Sequence, residues 1–316
     1  MANFWQKLKK PFFALAPMDD VTDTVFRQII VSCGKPDVFF TEFVSADGLI
    51  SSGQQKLLQK FQFSEAERPI VAQIWGTKPE TMYQAAMIIK DLGFDGIDIN
   101  MGCPDRSVVK SGAGGALIDN PTLAQEVILA TQEGAGGLPL SVKTRIGFKT
   151  VQTEQWISFL LKFDLAALTV HGRTVAELSK VPAHWEEIGR AAAVRDQLGV
   201  KILLIGNGDV TTFHDGLKKA KQFKIDGIMI GRGIFKSPWI FNPQVDTSQV
   251  TPQKRLQLLL EHARLFDEVW QGSKNFAILK KFFNSYVRGF KGASDLRIKL
   301  METKTLADVE QLVGNQ

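Results

Sequence analysis

Cys103 is the residue whose setting most invites chemistry. Gly102 and Pro104 hold it in a rigid turn at the end of an apolar run, residues 96–102. An ordinary thiol, with a pKa of about 8.5, is mostly protonated at neutral pH, so this side chain suits a general acid as well as a nucleophile. Lys143 breaks into the apolar run that begins Leu140-Ser141-Val142, and an ammonium in such a strand needs a partner. Three roles compete for it: a Schiff-base amine, half of an ion pair, or a donor to an anionic cofactor ring. His171, followed by Gly172-Arg173, suits a base, a metal ligand or a ring donor. The other three histidines, His184, His214 and His262, fall in expected helices, so no histidine cluster points to a metal. Cys33, late in a helix-like segment, reads as packing. Two cysteines are too few for a disulfide framework or a cysteine-based zinc site.

A second group of residues suits an anion. Gly208, between Asn207 and Asp209, and Gly231 and Gly233, on either side of Arg232, let the backbone approach a phosphate closely while the arginine adds charge. The run Ser111-Gly112-Ala113-Gly114-Gly115 looks like a phosphate cradle but lacks the Gly-Lys-Ser/Thr of a P-loop. Its expected form is a flexible active-site loop that opens a helix near Leu117.

The elements that position these groups follow from hydrophobic spacing. Eight apolar runs, 12–18, 38–44, 70–76, 96–102, 140–146, 167–173, 201–207 and 227–233, lack strict alternation, as strands buried on both faces do. Segments 22–33, 79–92, 121–133, 153–163, 184–198 and 211–223 carry apolar residues at three- and four-residue spacing. Pro79 and Pro121 suit first helical turns. This alternation predicts an α/β fold, a (β/α)8 TIM barrel. A doubly wound sheet is the main rival, but Ala16-Pro17-Met18-Asp19-Asp20 after the first run has none of the glycines such a fold needs there. In a parallel barrel the strands' C-terminal ends carry the active site. There lie Pro17-Met18, Thr41-Glu42, Gln73, Asn100 with Cys103, Lys143 with Arg145, His171 with Arg173, Asn207-Gly208-Asp209 and Gly231-Arg232. The loops after the last two strands form the usual phosphate site of such barrels, which implies a phosphorylated cofactor or substrate.

Composition narrows the class. The 316 residues are 44% apolar and 22% charged, which excludes disorder as the main state. No run of about eighteen apolar residues spans a membrane, and the start Met1-Ala2-Asn3-Phe4-Trp5 lacks a secretory apolar stretch. The expected compartment is a reducing cytoplasm, and nothing calls for an obligate protein partner. The net charge of +5 is unevenly spread. Residues 251–316 hold 11 Lys and Arg against 7 Asp and Glu, whereas the rest hold 27 against 26. Pro238, Pro243 and Pro252 punctuate a polar linker at 242–253, and helical periodicity follows at 253–270, 275–290 and 305–313. The expected organisation is a barrel over 1–241 and a small all-α domain over 251–316 that binds a polyanion.

In sequence order, these motifs resemble the tRNA-dihydrouridine synthase family of the bacterial type, over about residues 12–302. The resemblance rests on Ala16-Pro17-Met18 with Val21-Thr22-Asp23 and Phe26-Arg27, on Thr41-Glu42, and on Asp98-Ile99-Asn100-Met101-Gly102-Cys103-Pro104. It continues through the Gly112–Leu117 stretch, Lys143-Thr144-Arg145, His171-Gly172-Arg173-Thr174, Asn207-Gly208-Asp209 and Gly231-Arg232-Gly233. Asp19-Asp20 and Arg106 depart from the common pattern.

The resemblance implies an FMN barrel with a helical RNA-binding domain, which saturates uridine C5–C6 bonds in tRNA with NADPH as reductant. Pro17, Met18 and Asp19 would line the flavin, with Gln73, Lys143 and His171 at its ring. Asn207, Gly208, Asp209, Gly231 and Arg232 would hold its phosphate. Asn100 would orient the uracil and Cys103 would donate the proton. Arg145 and Arg173 would meet the base or nearby phosphates. Lys110 and the helical Lys280, Lys281, Arg288, Lys291 and Arg297 would grip the tRNA. The competing readings are an FMN barrel acting on a small molecule, such as a dihydroorotate dehydrogenase-like protein, a catalytically silent tRNA binder, and a Schiff-base aldolase.

Overall fold

The computed structural model describes residues 3–314; the outermost two residues at each end, which bound the two expected domains, lie outside the described residues. Nine strands form one parallel sheet: β1 (Phe12–Leu15), β2 (Phe39–Phe40), β3 (Val44–Ser45), β4 (Ile70–Trp75), β5 (Gly96–Met101), β6 (Leu140–Arg145), β7 (Ala167–His171), β8 (Leu203–Asn207) and β9 (Gly227–Ile230). Neighbours pair in the order β1-β9-β8-β7-β6-β5-β4-β2, and β3 also pairs with β4. The sheet closes where Ala14 bridges Val38. There Leu15 N–H donates to the Val38 carbonyl at 3.1 Å and Val38 N–H to the Phe13 carbonyl at 3.2 Å. The result is the expected barrel, with β2 and β3 as two pieces of one strand position.

Two strands differ from the sequence expectation for local reasons. β1 stops at Leu15 because Pro17 brings no N–H to continue the ladder. The run 38–44 breaks because the Thr41 hydroxyl, not a main-chain carbonyl, accepts the Gln73 N–H at 3.1 Å. Glu42 is freed by that break and turns its carboxylate to the Asp20 N–H at 2.7 Å.

Around the sheet run α1 (Thr24–Gly34), α2 (Ala46–Leu49), α3 (Gln54–Leu58), α4 (Pro79–Asp91), α5 (Arg106–Lys110), α6 (Pro121–Ala135), α7 (Thr153–Leu160), α8 (Trp185–Gln197) and α9 (Phe213–Gln222). Their apolar faces meet the outward residues of the strands in one continuous core. The inward residues form a second, smaller core. Trp5, Phe12, Phe40, Val71, Ala167 and Leu203 plug the N-terminal end of the barrel. The two-residue period then brings Gln73, Asp98, Ser141, Lys143, Thr169, His171 and Asn207 to the same lumen nearer the mouth. The barrel thus has an apolar floor and a polar mouth.

Past residue 251 the chain is helical: α10 (Pro252–Trp270), α11 (Phe283–Tyr286), α12 (Ala293–Glu302) and α13 (Leu306–Gly314). The helix expected over 275–290 is a 3-10 run, Phe276–Phe282, that continues into α11. Gly289 and Gly292, at φ +80° and +88°, end that segment and allow α12 to start, a helix the sequence reading omitted. This lobe is built onto α1. Phe282 stacks on Phe26 with ring centroids 4.6 Å apart, and buried His262 shares a 2.8 Å hydrogen bond with buried Tyr286. The Trp270 indole N–H donates to Asp23 at 3.1 Å. Asp23 also caps α1, accepting the Phe26 N–H at 3.0 Å. The apolar core therefore passes from the barrel's outer layer through α1 into the lobe without a break.

The tightest helix contact in the barrel is between α4 and α6. A Cβ placed on Gly134 would sit 2.2 Å from the Tyr83 carbonyl oxygen, an immobile backbone atom. Gly134→Ala is therefore expected to destabilise the protein by about 1–3 kcal/mol, although alanine is the better helix former. Denaturant unfolding of the variant beside the parent checks this, and an unchanged midpoint contradicts it.

Candidate active site

A cavity of about 690 Å³ opens at the C-terminal ends of the strands, within the usual range for a small-molecule site. Its wall comprises Ala16, Pro17 and Met18 after β1, Lys143 and Arg145 of β6, His171 and Arg173 of β7, Asn207–Asp209 after β8, and Gly231–Gly233 after β9. Pro104, Leu178, Ser179, Met229 and Lys236 complete its rim.

The cavity is cationic. Lys143 makes no hydrogen bond among the described residues; burial pulls its pKa down to about 8, Arg145 lowers it further and Asp98 opposes the fall. Its register neighbour Thr169 has a buried hydroxyl without a partner. Two polar groups thus face the lumen unsatisfied, which in a buried setting is costly unless a ligand or water meets them. Burial, with Lys143, Arg145, Arg173 and Arg232 nearby, holds the His171 pKa well below its ordinary value. The imidazole is therefore neutral at pH 7. Arg173, always a donor, lies 3.1 Å from His171 Nε2, which fixes that nitrogen as the acceptor and leaves the proton on Nδ1.

At the far side, Gly208 adopts φ +137°, and a Cβ there would fall 2.6 Å from Ala183 Cβ. A Cβ on Gly233 would strike the Val210 carbonyl oxygen at 2.2 Å. Only glycine allows these turns to pack so closely, and they bring backbone and Arg232 to one edge of the cavity. Arg232 is well exposed, with Asp209 3.4 Å away as its ion-pair partner. Burial pushes the Asp209 carboxyl up, but hydrogen bonds from Arg173 at 2.5 Å and the Ala183 N–H at 2.9 Å hold it below the usual range.

Cys103 sits beside this cavity in a half-buried turn. The Asn100 side-chain oxygen accepts from the N–H groups of Gly102 and Cys103 at 3.1 and 2.9 Å. Gly115 N–H donates to the Cys103 carbonyl at 3.0 Å. A Cβ on Gly114 would lie 3.1 Å from Cys103 Cβ. Gly114 and Gly115 thus open a buried 3-10 turn, Gly114–Asp119, packed behind Cys103 where a loop and then a helix were expected, while Ser111 is exposed and Gly112 half-buried. Burial raises the thiol pKa, so Cys103 carries its proton at neutral pH.

Other expected site residues fall elsewhere. Asp19 turns away from the cavity to pair with Lys60, because its exposed carboxylate finds that ammonium at the outer lip. Gln73 is fully buried outside the cavity wall, and both ends of its amide are engaged, by Asp98 at 2.6 Å and Asn100 at 3.0 Å. Asn100 is likewise committed to the Cys103 turn. Arg145 lines the cavity but donates to the carbonyls of Gly102, Thr174 and Leu178 at 2.8 to 3.0 Å, tying the loops after β5 and β7 together. Asn207 donates across to the Met229 carbonyl at 2.8 Å. Lys280, Lys281 and Arg288 lie on the helical lobe and bond to the Met301 carbonyl, to Asp20 and to the Lys236 carbonyl.

Two groups escaped the sequence reading. Asp98 is fully buried, and burial raises its pKa to about 6 against hydrogen bonds from Ser141 and Gln73 and the charge of Lys143. A lone charge in the apolar run Ile97-Asp98-Ile99 was the available signal, by the same logic that singled out Lys143. The second is the clasp between lobe and mouth. Lys274 lies over the Trp270 ring, 4.0 Å from its centroid, and reaches Asp23 at 3.1 Å and Glu42 at 3.7 Å. Burial raises the Glu42 pKa, while Lys274 and Lys60 oppose the rise. Asp19, Asp20 and Glu42 approach one another closely, but Lys60 and Lys281 are the cations that neutralise them.

Lys143 binds its proton less readily in the fold than in the unfolded chain. The folded state therefore bears a penalty that is full below pH 8 and fades between about pH 8 and 10.5, as the native amine deprotonates first. In the ligand-free protein, Lys143→Met is expected to raise Tm at pH 7 by about 2–5 °C, with the gain shrinking toward pH 10. Thermal melts across this range check it; a lower Tm at pH 7 contradicts it.

Comparisons with known proteins place the chain among its relatives. The dihydrouridine synthase (Dus) family model matches residues 14–315. A Bacillus subtilis (strain 168) protein named "Probable tRNA-dihydrouridine synthase 2" is 45% identical over 316 residues, 99% of this chain and 96% of that one. A "Probable tRNA-dihydrouridine synthase" of Staphylococcus aureus (strain COL) is 43% identical over 314 residues, 98% of this chain and 94% of its own. Among solved structures, morphinone reductase in complex with tetrahydroNAD aligns with a TM-score of 0.52 at 14% identity, over 75% of this chain and 87% of its own. Histamine dehydrogenase from Rhizobium sp. 4-9 aligns at 0.56 and 12% identity, over 80% of this chain and 48% of its own. These two likenesses are of fold. The family match and the two bacterial relatives, each spanning nearly the whole chain, establish that the chain belongs to the dihydrouridine synthase family.

Proposed function

We propose that this chain reduces uridine to 5,6-dihydrouridine in tRNA, with FMN in the barrel mouth and NADPH as the reductant. The observation that carries this reading is a cavity that holds an unpartnered ammonium (Lys143) and a glycine and arginine edge (Gly208, Gly231, Arg232), with a protonated thiol in the turn next to its wall (Cys103, followed by the lining residue Pro104). The relatives' printed names supply the substrate.

The residues present fit FMN. Pro17 and Met18 offer an apolar wall, Lys143 a cation for an anionic ring, and His171 Nδ1–H a further donor. Gly208, Asp209, Gly231 and Arg232 form the edge suited to its phosphate, with Asn207 behind them. FMN, when bound, supplies a hydride to uracil C6 and is recharged by NADPH.

The chain's own residues do the rest. Cys103 delivers a proton to C5, a task for which burial keeps its thiol protonated. Asn100 orients the turn that carries it. Arg145 and Arg173 give the mouth a fixed positive potential for an RNA strand whose target base has left its stack. Lys110 of α5 and the lobe residues Lys280, Lys281, Arg288, Lys291 and Arg297 extend that potential outward. The cytoplasm, where tRNA resides, is the compartment this reading requires.

Purified protein incubated with unmodified tRNA and NADPH is expected to yield nucleosides two hydrogens heavier than uridine at a defined position, read by mass spectrometry. A yellow, NADPH-oxidising protein that leaves tRNA unchanged would instead be a small-molecule flavin reductase. Cys103→Ala is expected to retain flavin and tRNA binding while turnover falls about 10²–10⁴-fold, the usual range for loss of a general acid. Near-parental single-turnover reduction by the variant removes Cys103 from the mechanism.

A further inference from the structure

Behind the cavity wall lies a continuous line of hydrogen bonds, of which the reaction as described uses only the last link, from Asn100 to the Cys103 turn. Ser141 Oγ donates to Asp98 Oδ1 at 2.6 Å, and Gln73 Nε2 donates to Asp98 Oδ2 at 2.6 Å. Asn100 Nδ2 donates to Gln73 Oε1 at 3.0 Å. Asn100 Oδ1 then accepts the N–H groups of Gly102 and Cys103. The line crosses three neighbouring strands, in which Gln73 pairs in register with Asp98 and Asp98 with Ser141. Asp98 and Gln73 are fully buried, and Asn100 is 6% exposed.

The two amides in this line are ambivalent: each can turn by half a revolution and exchange donor for acceptor. The ends are not. An ionised carboxylate only accepts, and two backbone N–H groups only donate. Both ends therefore impose the same sense, and reversing either amide would set donor against donor or acceptor against acceptor in a water-free interior. We propose that Asp98 is a positioning residue, which fixes the sense of the Gln73–Asn100 amide line and through it holds the Gly102–Cys103 backbone in place at the mouth.

Asp98 faces neutral Gln73 from β4, and from β6 the hydroxyl of Ser141 and the charge of Lys143. It is thus also near enough to act only as a counter-ion for Lys143, and the two roles separate by mutation. Asp98→Asn removes the charge but keeps an acceptor toward Gln73, with its amide N–H₂ turned to Ser141 Oγ. Gln73→Met keeps the charge and the side-chain shape but cuts the line. Asp98→Leu removes both.

The first readout is the alkylation rate of Cys103 by iodoacetamide in flavin-free protein, followed by peptide mass spectrometry. Cys33 is buried, with its pKa pushed up to about 12, and is distinguished by its peptide. The second is steady-state reduction of tRNA, which rests on the reading of Cys103 as proton donor; the alkylation rate does not. The expected pattern has Asp98→Asn within about threefold of the parent in both. Gln73→Met and Asp98→Leu are expected to alkylate about tenfold faster or more. Their kcat should fall about 10–100-fold with the KM for tRNA held within twofold, as displacement of a reacting group by about 1 Å costs on this scale. An impaired Asp98→Asn beside a silent Gln73→Met overturns the proposal and leaves Asp98 as the counter-ion of Lys143. Parental alkylation rates in both Gln73→Met and Asp98→Leu also overturn it. If Asp98→Leu does not fold, the other two variants decide. If Cys103→Ala proves active while Gln73→Met alkylates fast, the proton-donor reading fails and the positioning role stands.

Discussion

Closure of a parallel sheet is the constraint on which the rest of this molecule depends. The seam is slight: Ala14 against Val38, with hydrogen bonds from Leu15 and Val38. Once it forms, every strand points the same way, and every second residue is committed to a lumen that water reaches only from the ends. The floor takes aromatic and branched side chains, from Trp5 to Leu203, and excludes water. Polar residues are tolerated only higher up, where they find each other or face the mouth. Asp98 is bound by Gln73 and Ser141, while Lys143 opens on the cavity and Thr169 keeps a buried hydroxyl without a partner.

That gradient explains the electrostatics of the mouth. Five cationic side chains, Lys143, Arg145, Arg173, Arg232 and Lys236, border it, against the carboxylates of Asp209 at its edge and Asp98 behind it. Arg173 pairs with Asp209, and both Arg145 and Arg173 anchor loops through backbone carbonyls. Burial, with that surplus behind it, keeps His171 neutral, and burial keeps Cys103 protonated. A positively biased cavity with neutral proton-bearing groups beside it is the arrangement an anionic, phosphorylated ligand stabilises. It is also an arrangement that the empty fold bears at some cost.

Much of this was legible in the sequence. The barrel announced itself through runs without alternation, and the mouth residues through polar groups at the ends of those runs. Lys143 was found by asking what a charge does in an apolar strand; Asp98, under the same question, was passed over because it was read as part of a motif. What stayed hidden depends on pairings between distant segments. The break after Phe40 arises from a Thr41 hydroxyl that takes the place of a ladder carbonyl. The engagement of Gln73 behind the wall arises from strand register. The glycine run at 112–115 reads as mobility in one dimension and as close packing against Cys103 in three. The linker and basic lobe were visible, but not that the lobe shares its apolar core with α1.

The clasp at Asp23 has a consequence for how this enzyme can diversify. One side of the loop between β1 and α1 forms the cavity wall through Pro17 and Met18, and the other, with Glu42 from the segment after β2, seats the lobe through Asp20 and Asp23, gripped by Lys274, Lys281 and Trp270. Lobe and mouth are thereby a single ruler, with its zero mark inside the barrel. Re-aiming the lobe from its root would drag the cavity wall with it. Substitution is freer on α12, where exposed Ile298 and Met301 stand apart from these contacts.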